Sequence, residues 1–134
     1  MAPIFCPRPI RRPRPSIPPG GATSVGAVTA TLLKAFFDES RVITDPVQPD
    51  PRDPTRLVPY SGPQLTVGGE LNKLAVNFGF GRNWAGIHWR SDAAGSMALG
   101  EEVAISLLRD ERRALREPFD GFSFTRFDGT RVTV

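Results

Sequence analysis

Apolar residues recur at helical spacing in three stretches of this 134-residue chain and alternate with polar ones in a fourth. In ATSVGAVTATLLKAFFDES, residues 22–40, Val25, Val28, Leu32 and Phe36 form one stripe, predicting a helix that Asp38, Glu39 and Ser40 terminate. TVGGELNKLAVNFGFGRNWA, residues 66–85, repeats the pattern through Leu71, Leu74, Ala75 and Phe78. Thr66 suits the N-cap of that second helix, and Glu70 in its first turn complements the helix dipole. A third helix is predicted from Ser91 as N-cap, with Asp92 in its first turn, to about Leu115. Met97, Gly100, Ala104, Leu107 and Leu108 form its expected buried face, while Arg109, Arg112, Arg113 and Arg116 load its C-terminal end. Glu101 and Glu102 read as a solvated face. In FDGFSFTRFDGTRVTV, residues 119–134, aromatic and polar positions alternate around Asp128-Gly129, a strong β-hairpin signal.

Proline punctuates the rest. Residues 41–65 hold six prolines and little periodicity, which predicts a long loop. Residues 1–20 cannot be helical, because each proline removes a donor and restricts its predecessor; an extended, mostly disordered lead is expected there. The expected organisation is this lead followed by a mainly α domain over 21–134, a partial helical bundle ending in a β-hairpin. Three helices make a thin bundle, since a fourth would bury their apolar stripes better. Part of the structure is therefore expected from a second copy (a homo-oligomer), another chain, or a missing segment.

Charge changes this picture little. The net charge of +3 and pI near 9.7 come from the lead, where Arg8, Arg11, Arg12 and Arg14 cluster; the remainder is close to neutral. With no aromatic interleaving beside those arginines, a nucleic-acid partner is not expected. No apolar run reaches the roughly 18–20 residues that span a bilayer, and prolines and arginines fill the place of a signal peptide's apolar region. No membrane partner is expected, and the compartment stays open. Cys6 is the single cysteine, so it forms no internal disulfide and receives no role here.

The candidate chemistry lies in GRNWAGIHWRSD, residues 81–92, which holds the chain's one histidine. On an unbroken helix Arg82 and His88 would be rotated by about 240° and could not converge. Gly86 is suited to ending the helix that carries Arg82, which leaves His88 on the turn before the next helix. Both side chains then point into one pocket. Asp92 is placed to accept the second ring N–H of His88, fixing its tautomer and raising its basicity. An arginine fork beside such a ring suits a tetrahedral oxyanion. The competing reading is an interface histidine next to an ordinary Arg–Asp ion pair. Trp84 and Trp89 flank the site and read as packing residues. Upstream, Gly20 and Gly21 precede the first helix and suit a backbone anion nest, with Gly20 as a further oxyanion-binding candidate.

Written as Arg-x-x-x-Gly-x-His-x-x-x-Asp, the run Arg82, Gly86, His88, Asp92 resembles the last motif of the vanadium-dependent haloperoxidases and the related PAP2-type acid phosphatases. The resemblance extends over roughly residues 16–134, to the C-terminal part of bacterial members of the haloperoxidase branch. It implies a site inside an α-helical bundle, with vanadate as cofactor and peroxide and halide as reactants. By resemblance Arg82 binds vanadate or phosphate oxygens, His88 is the axial vanadium ligand (the nucleophile in phosphatases), and Asp92 orients His88.

The chain also departs from the family pattern. The middle motif, Pro-Ser-Gly-His, should fall at PPGG, where Pro18 and Gly20 match but Pro19 and Gly21 replace the serine and the acid–base histidine. The first motif's lysine has no counterpart, because no lysine precedes Lys34. A truncated family member is the expected reading. With one arginine and one histidine of the cage retained, and each lost charge-assisted bond costing roughly 1.5–3 kcal/mol, the chain alone is expected to be weakly active or inactive. The alternatives are a phosphatase using His88 as nucleophile, and a non-catalytic helical partner or subunit.

Overall fold

A computed structural model describes residues 21–134; the 1–20 lead, with Gly20 and Cys6, lies outside the described residues. Three helices and two short strand pairs follow in the order α1 (Gly21–Phe36), β1 (Val47–Pro49), β2 (Leu57–Pro59), α2 (Val67–Trp84), α3 (Arg90–Ala114), β3 (Ser123–Thr125) and β4 (Arg131–Thr133). α1 lies between α2 and α3 and makes most of the helix–helix contact. The architecture is mainly α with a C-terminal hairpin, in which Ser123 pairs with Thr133 and Thr125 with Arg131 across the Asp128-Gly129 turn. The proline-rich segment differs from the expected loop by carrying the small β1–β2 pair, registered Val47 to Pro59 and Pro49 to Leu57. Prolines at strand ends escaped a periodicity reading because they forfeit ladder donors only where no partner needs them.

Small residues, not the large apolar ones, decide which helix faces meet. A Cβ built at Gly100 of α3 would lie 2.5 Å from the Ser24 carbonyl oxygen and 2.8 Å from the Ala27 Cβ. Gly79 of α2 faces the Thr23 methyl at 3.1 Å in the same sense, and Gly26 faces Phe78 Cβ at 3.0 Å. Such close approach turns the face Thr23, Ala27, Ala30, Thr31 and Lys34 of α1 inward. The expected α1 stripe is thereby corrected: Val25 is 64% and Phe36 71% exposed. Leu74 and Phe78 of α2 and Leu107 of α3 are exposed too, for the same reason. On α3 the buried set contains Ala93, Ser96, Gly100, Glu101, Ala104, Ile105 and Leu108. Of its predicted face, Gly100, Ala104 and Leu108 are buried, Met97 is half-buried and Leu107 is outside.

The apolar core sits at the other end, where Ile105 and Leu108 meet Phe122, Phe124 and Val134 of the hairpin, with Leu32, Ala35 and Val132 packed against them. Polar contacts fasten this lid. Glu101 is buried, which corrects its reading as solvated: its carboxylate accepts from Arg126 Nε at 3.0 Å and from the Phe127 backbone at 2.7 Å. Glu102 stays exposed and also pairs with Arg126. Lys34, fully buried, donates to the Thr125 carbonyl at 2.6 Å and lies 4.4 Å from the Phe127 ring centre. Burial pulls its ammonium below the usual lysine range, and the nearby Glu101 and Glu39 carboxylates oppose that shift.

Candidate oxyanion site at the α2–α3 junction

α2 begins where Thr66 accepts from the Gly69 backbone at 3.1 Å, the cap expected from sequence. It ends as the sequence requires. Gly86 takes φ +70°, a left-handed conformation that costs a residue with a Cβ, so it turns the chain out of the helix. Two bonds close the end: Gly86 N–H donates to the Asn83 carbonyl at 2.9 Å and Ile87 N–H to the Arg82 carbonyl at 3.1 Å. This is a Schellman pattern, and it ties the backbone of Arg82 directly to the neighbour of His88.

α3 starts three residues after Ile87. Its N-cap is Trp89, not Ser91, and Ser91 lies inside the helix. Trp89 lacks a short oxygen-bearing side chain, so the cap is supplied from within: the Asp92 carboxylate accepts from the Trp89 backbone at 3.2 Å. The same oxygen, Oδ2, lies 3.4 Å from His88 Nδ1. Asp92 thus serves the helix start and the imidazole at once, and both side chains are largely buried, His88 at 13% and Asp92 at 8% exposure. Nδ1 is engaged by the carboxylate, so Nε2 is the ring nitrogen not committed to Asp92.

On the other side of the turn, Arg82 Nε is buried and has no acceptor among the described residues. A buried donor without a partner costs roughly 1–3 kcal/mol, so its retention calls for an explanation. Asn83 Oδ1 next to it, and Asn72 Oδ1 and Thr31 Oγ1 deeper along α1 and α2, are buried acceptors in the same condition. Sequence reasoning missed these three. Their signal was present as a small and polar α2 row, Asn72, Ala75, Gly79 and Asn83, running beside the more conspicuous Leu74 and Phe78.

Of the sequence-predicted residues, His88 and Asp92 are in contact, and Arg82 joins them through the backbone of the shared turn. Gly20 lies outside the described residues. The tryptophans differ from expectation: Trp84 is 80% exposed and Trp89 is exposed as well, so neither is buried packing around the turn. The α2–α3 reversal puts both where the helices end and no element lies over them among the described residues. No group of three or more metal-ligating His, Cys, Asp or Glu side chains occurs among the described residues, and no described helix is long and apolar enough to cross a membrane.

No family model matches the chain. It is 45% identical over 121 residues to the vanadium-dependent bromoperoxidase of Corallina pilulifera and 44% identical over 121 residues to that of Corallina officinalis. Over 123 residues it is 42% identical to the vanadium-dependent bromoperoxidase of Ascophyllum nodosum. Each match covers 90% of this chain but only 20–22% of the relative, so the chain spans about a fifth of the length of the curated relatives it matches. At that identity, over nearly the whole chain, this protein is similar to vanadium-dependent bromoperoxidases through a stretch amounting to about a fifth of each relative.

Proposed function

We propose that the α2–α3 junction holds a tetrahedral oxyanion, vanadate in a haloperoxidase-type site, and that Arg82, His88 and Asp92 are this chain's contribution to it. The observation that carries the reading is the buried Arg82 Nε without an acceptor among the described residues, at the turn that also carries His88. An oxyanion satisfies that donor. It also gives the imidazole's Nε2 a partner while Asp92 holds Nδ1 from behind. The residues present therefore fit the group.

Arg82 would bind and partly neutralise the anion. His88 would contact its central atom through Nε2, and Asp92 would hold the ring's orientation and favour the tautomer with its proton on Nδ1. Bound vanadate would supply the centre at which peroxide is activated for oxidation of a halide, the activity for which the relatives are named. An anion of charge about −2 beside one guanidinium is under-neutralised. Further donors and cations therefore come from outside the described residues: from Gly20 and the rest of the lead, or from a second polypeptide or copy covering the exposed apolar faces of α1, α2 and α3. Without them the chain binds weakly and turns over slowly.

Titration of orthovanadate against the purified chain and its His88→Ala and Arg82→Ala variants tests this, with peroxide- and bromide-dependent halogenation assayed in parallel. Saturable binding in the wild type that is lost in both variants is expected, with little halogenation. Vanadate binding that survives His88→Ala would overturn the assignment.

A further inference from the structure

We infer that the open groove between α1 and α3 is the seat of this chain's own lead, residues 4–16, which folds back before Gly21 and lies along it as a polyproline helix. The groove is continuous. Gly100 meets Ser24 and Ala27 at one end, and Leu32 and Phe36 stand beside Leu107 and Leu108 at the other, so α1 and α3 run side by side in the same direction. Along their outer edge Val25, Val28, Leu99 and Val103 line a hollow of about 320 Å³. Leu32, Phe36 and Leu107 carry it on through a second hollow of about 370 Å³. Glu111, at the far end, is the one charged residue among those lining either hollow. Exposed apolar area of this extent calls for a cover.

The lead carries the matching pattern. A polyproline helix repeats every three residues. At that period Ile4, Pro7, Ile10 and Pro13 share one face and Arg8, Arg11 and Arg14 another, while Arg12 interrupts the third. Proline-rich segments with such an apolar edge dock in apolar, aromatic-bearing grooves, because their backbone is already extended and loses little entropy on binding. The reach is ample: Ile4 to Pro13 extends ~28 Å at about 3.1 Å per residue, against ~17 Å from Val25 to Phe36 at about 1.5 Å per residue. Reversal is provided for as well, since Pro19-Gly20, a type II turn pair, stands immediately before α1. Tethering favours this occupant over a second molecule, because a linked segment faces the groove at an effective concentration of about millimolar. None of these residues belongs to the Arg82, His88 and Asp92 set, so the docking stands or falls apart from the oxyanion site.

A nitroxide on Cys6, the single cysteine, tests this through amide NMR signals of the ¹⁵N-labelled full chain, with the chemically reduced label as control. Docking carries Cys6 to the Phe36 end of the groove. Signals of Phe36, Leu107 and Glu111 are therefore expected to weaken about threefold or more, while those of Gly86 and His88 stay within about a fifth of the control. Ile10→Asp puts a carboxylate on the apolar edge of the lead and is expected to restore the weakened signals, whereas Arg11→Gln, on the other edge, leaves them weak. Weakening that is strongest around Gly21 and the α2–α3 turn, that spreads evenly over the surface, or that persists in Ile10→Asp would overturn the docking. So would weakening at Phe36 and Leu107 of an unlabelled ¹⁵N chain mixed with the nitroxide-bearing ¹⁴N chain, which would give the groove to a second copy.

Discussion

The two ends of the α1–α3 pair are filled in opposite ways. At the hairpin end, large apolar side chains point inward, and the charged groups beside them are matched: Lys34 to Thr125 and Phe127, Glu101 to Arg126 and Phe127. At the end nearer the α2–α3 turn, the interior is small and polar, and Arg82 Nε and Asn83 Oδ1 are buried without partners among the described residues. The larger apolar side chains there stand outside, where Val25, Val28, Leu99 and Val103 line an open groove of about 320 Å³. The first end has a closed apolar centre, although Phe36 and Leu107 beside it stand exposed. The second presents buried polar groups without partners among the described residues inside and an open apolar groove outside.

Substitutions at the two ends separate them by size of effect. Phe124→Ala empties the fully buried centre of the hairpin core and is expected to cost about 3–5 kcal/mol in urea-induced unfolding. A loss under ~1 kcal/mol would mean that the hairpin does not close that end. Glu101→Ala leaves the Phe127 N–H and the buried Lys34 without their carboxylate and is expected to cost about 3 kcal/mol by the same measurement. Asp92→Ala removes the internal cap of α3, with an expected loss of about 1 kcal/mol. It should also release the His88 ring, read as a change in tautomer ratio by ¹⁵N NMR, whereas Asp92→Asn should preserve more of the cap than of the tautomer preference.

Arg82→Met sharpens the contrast, because it discards an unpartnered donor instead of a matched one. Its thermal midpoint is expected to stay level or to rise by the equivalent of up to about 1 kcal/mol, while vanadate binding disappears. Clear destabilisation would show that the guanidinium has a structural partner after all. The smallest effect is pH-dependent. Burial lowers the Lys34 pKa below 10.5, so between that lowered value and 10.5 the unfolded chain binds more protons and stability rises with pH. Lys34→Met removes this alkaline rise, which is measured as the difference between the two unfolding-versus-pH curves.

Much of the candidate site was legible because its geometry is local. Gly86 had to break α2, Asp92 had to sit in the first turn of α3, and four residues separate it from His88; each follows from backbone rules over a dozen positions. The helix start was read two residues late, since Ser91 is the better cap by side chain while Asp92 can reach back to Trp89. The burial of Glu101 was harder to see. Its place one turn before Ala104 and Ile105 put it on the core row, but only the hairpin returning from residue 126 supplies the partners that make a buried carboxylate tolerable.

The sequence by itself determined the three helices, the tight exit from α2, the Asp128-Gly129 hairpin and the pairing of His88 with Asp92. These depend on periodicity, caps and turn residues that act within one or two helical turns. Tertiary structure alone decided which face of each helix lies inside. Closest approach of the backbones, permitted by Gly26, Gly79 and Gly100, outweighed burial of the larger stripes, because dispersion between closely packed helices grows steeply as they near each other and no element of the described chain covers the opposite face.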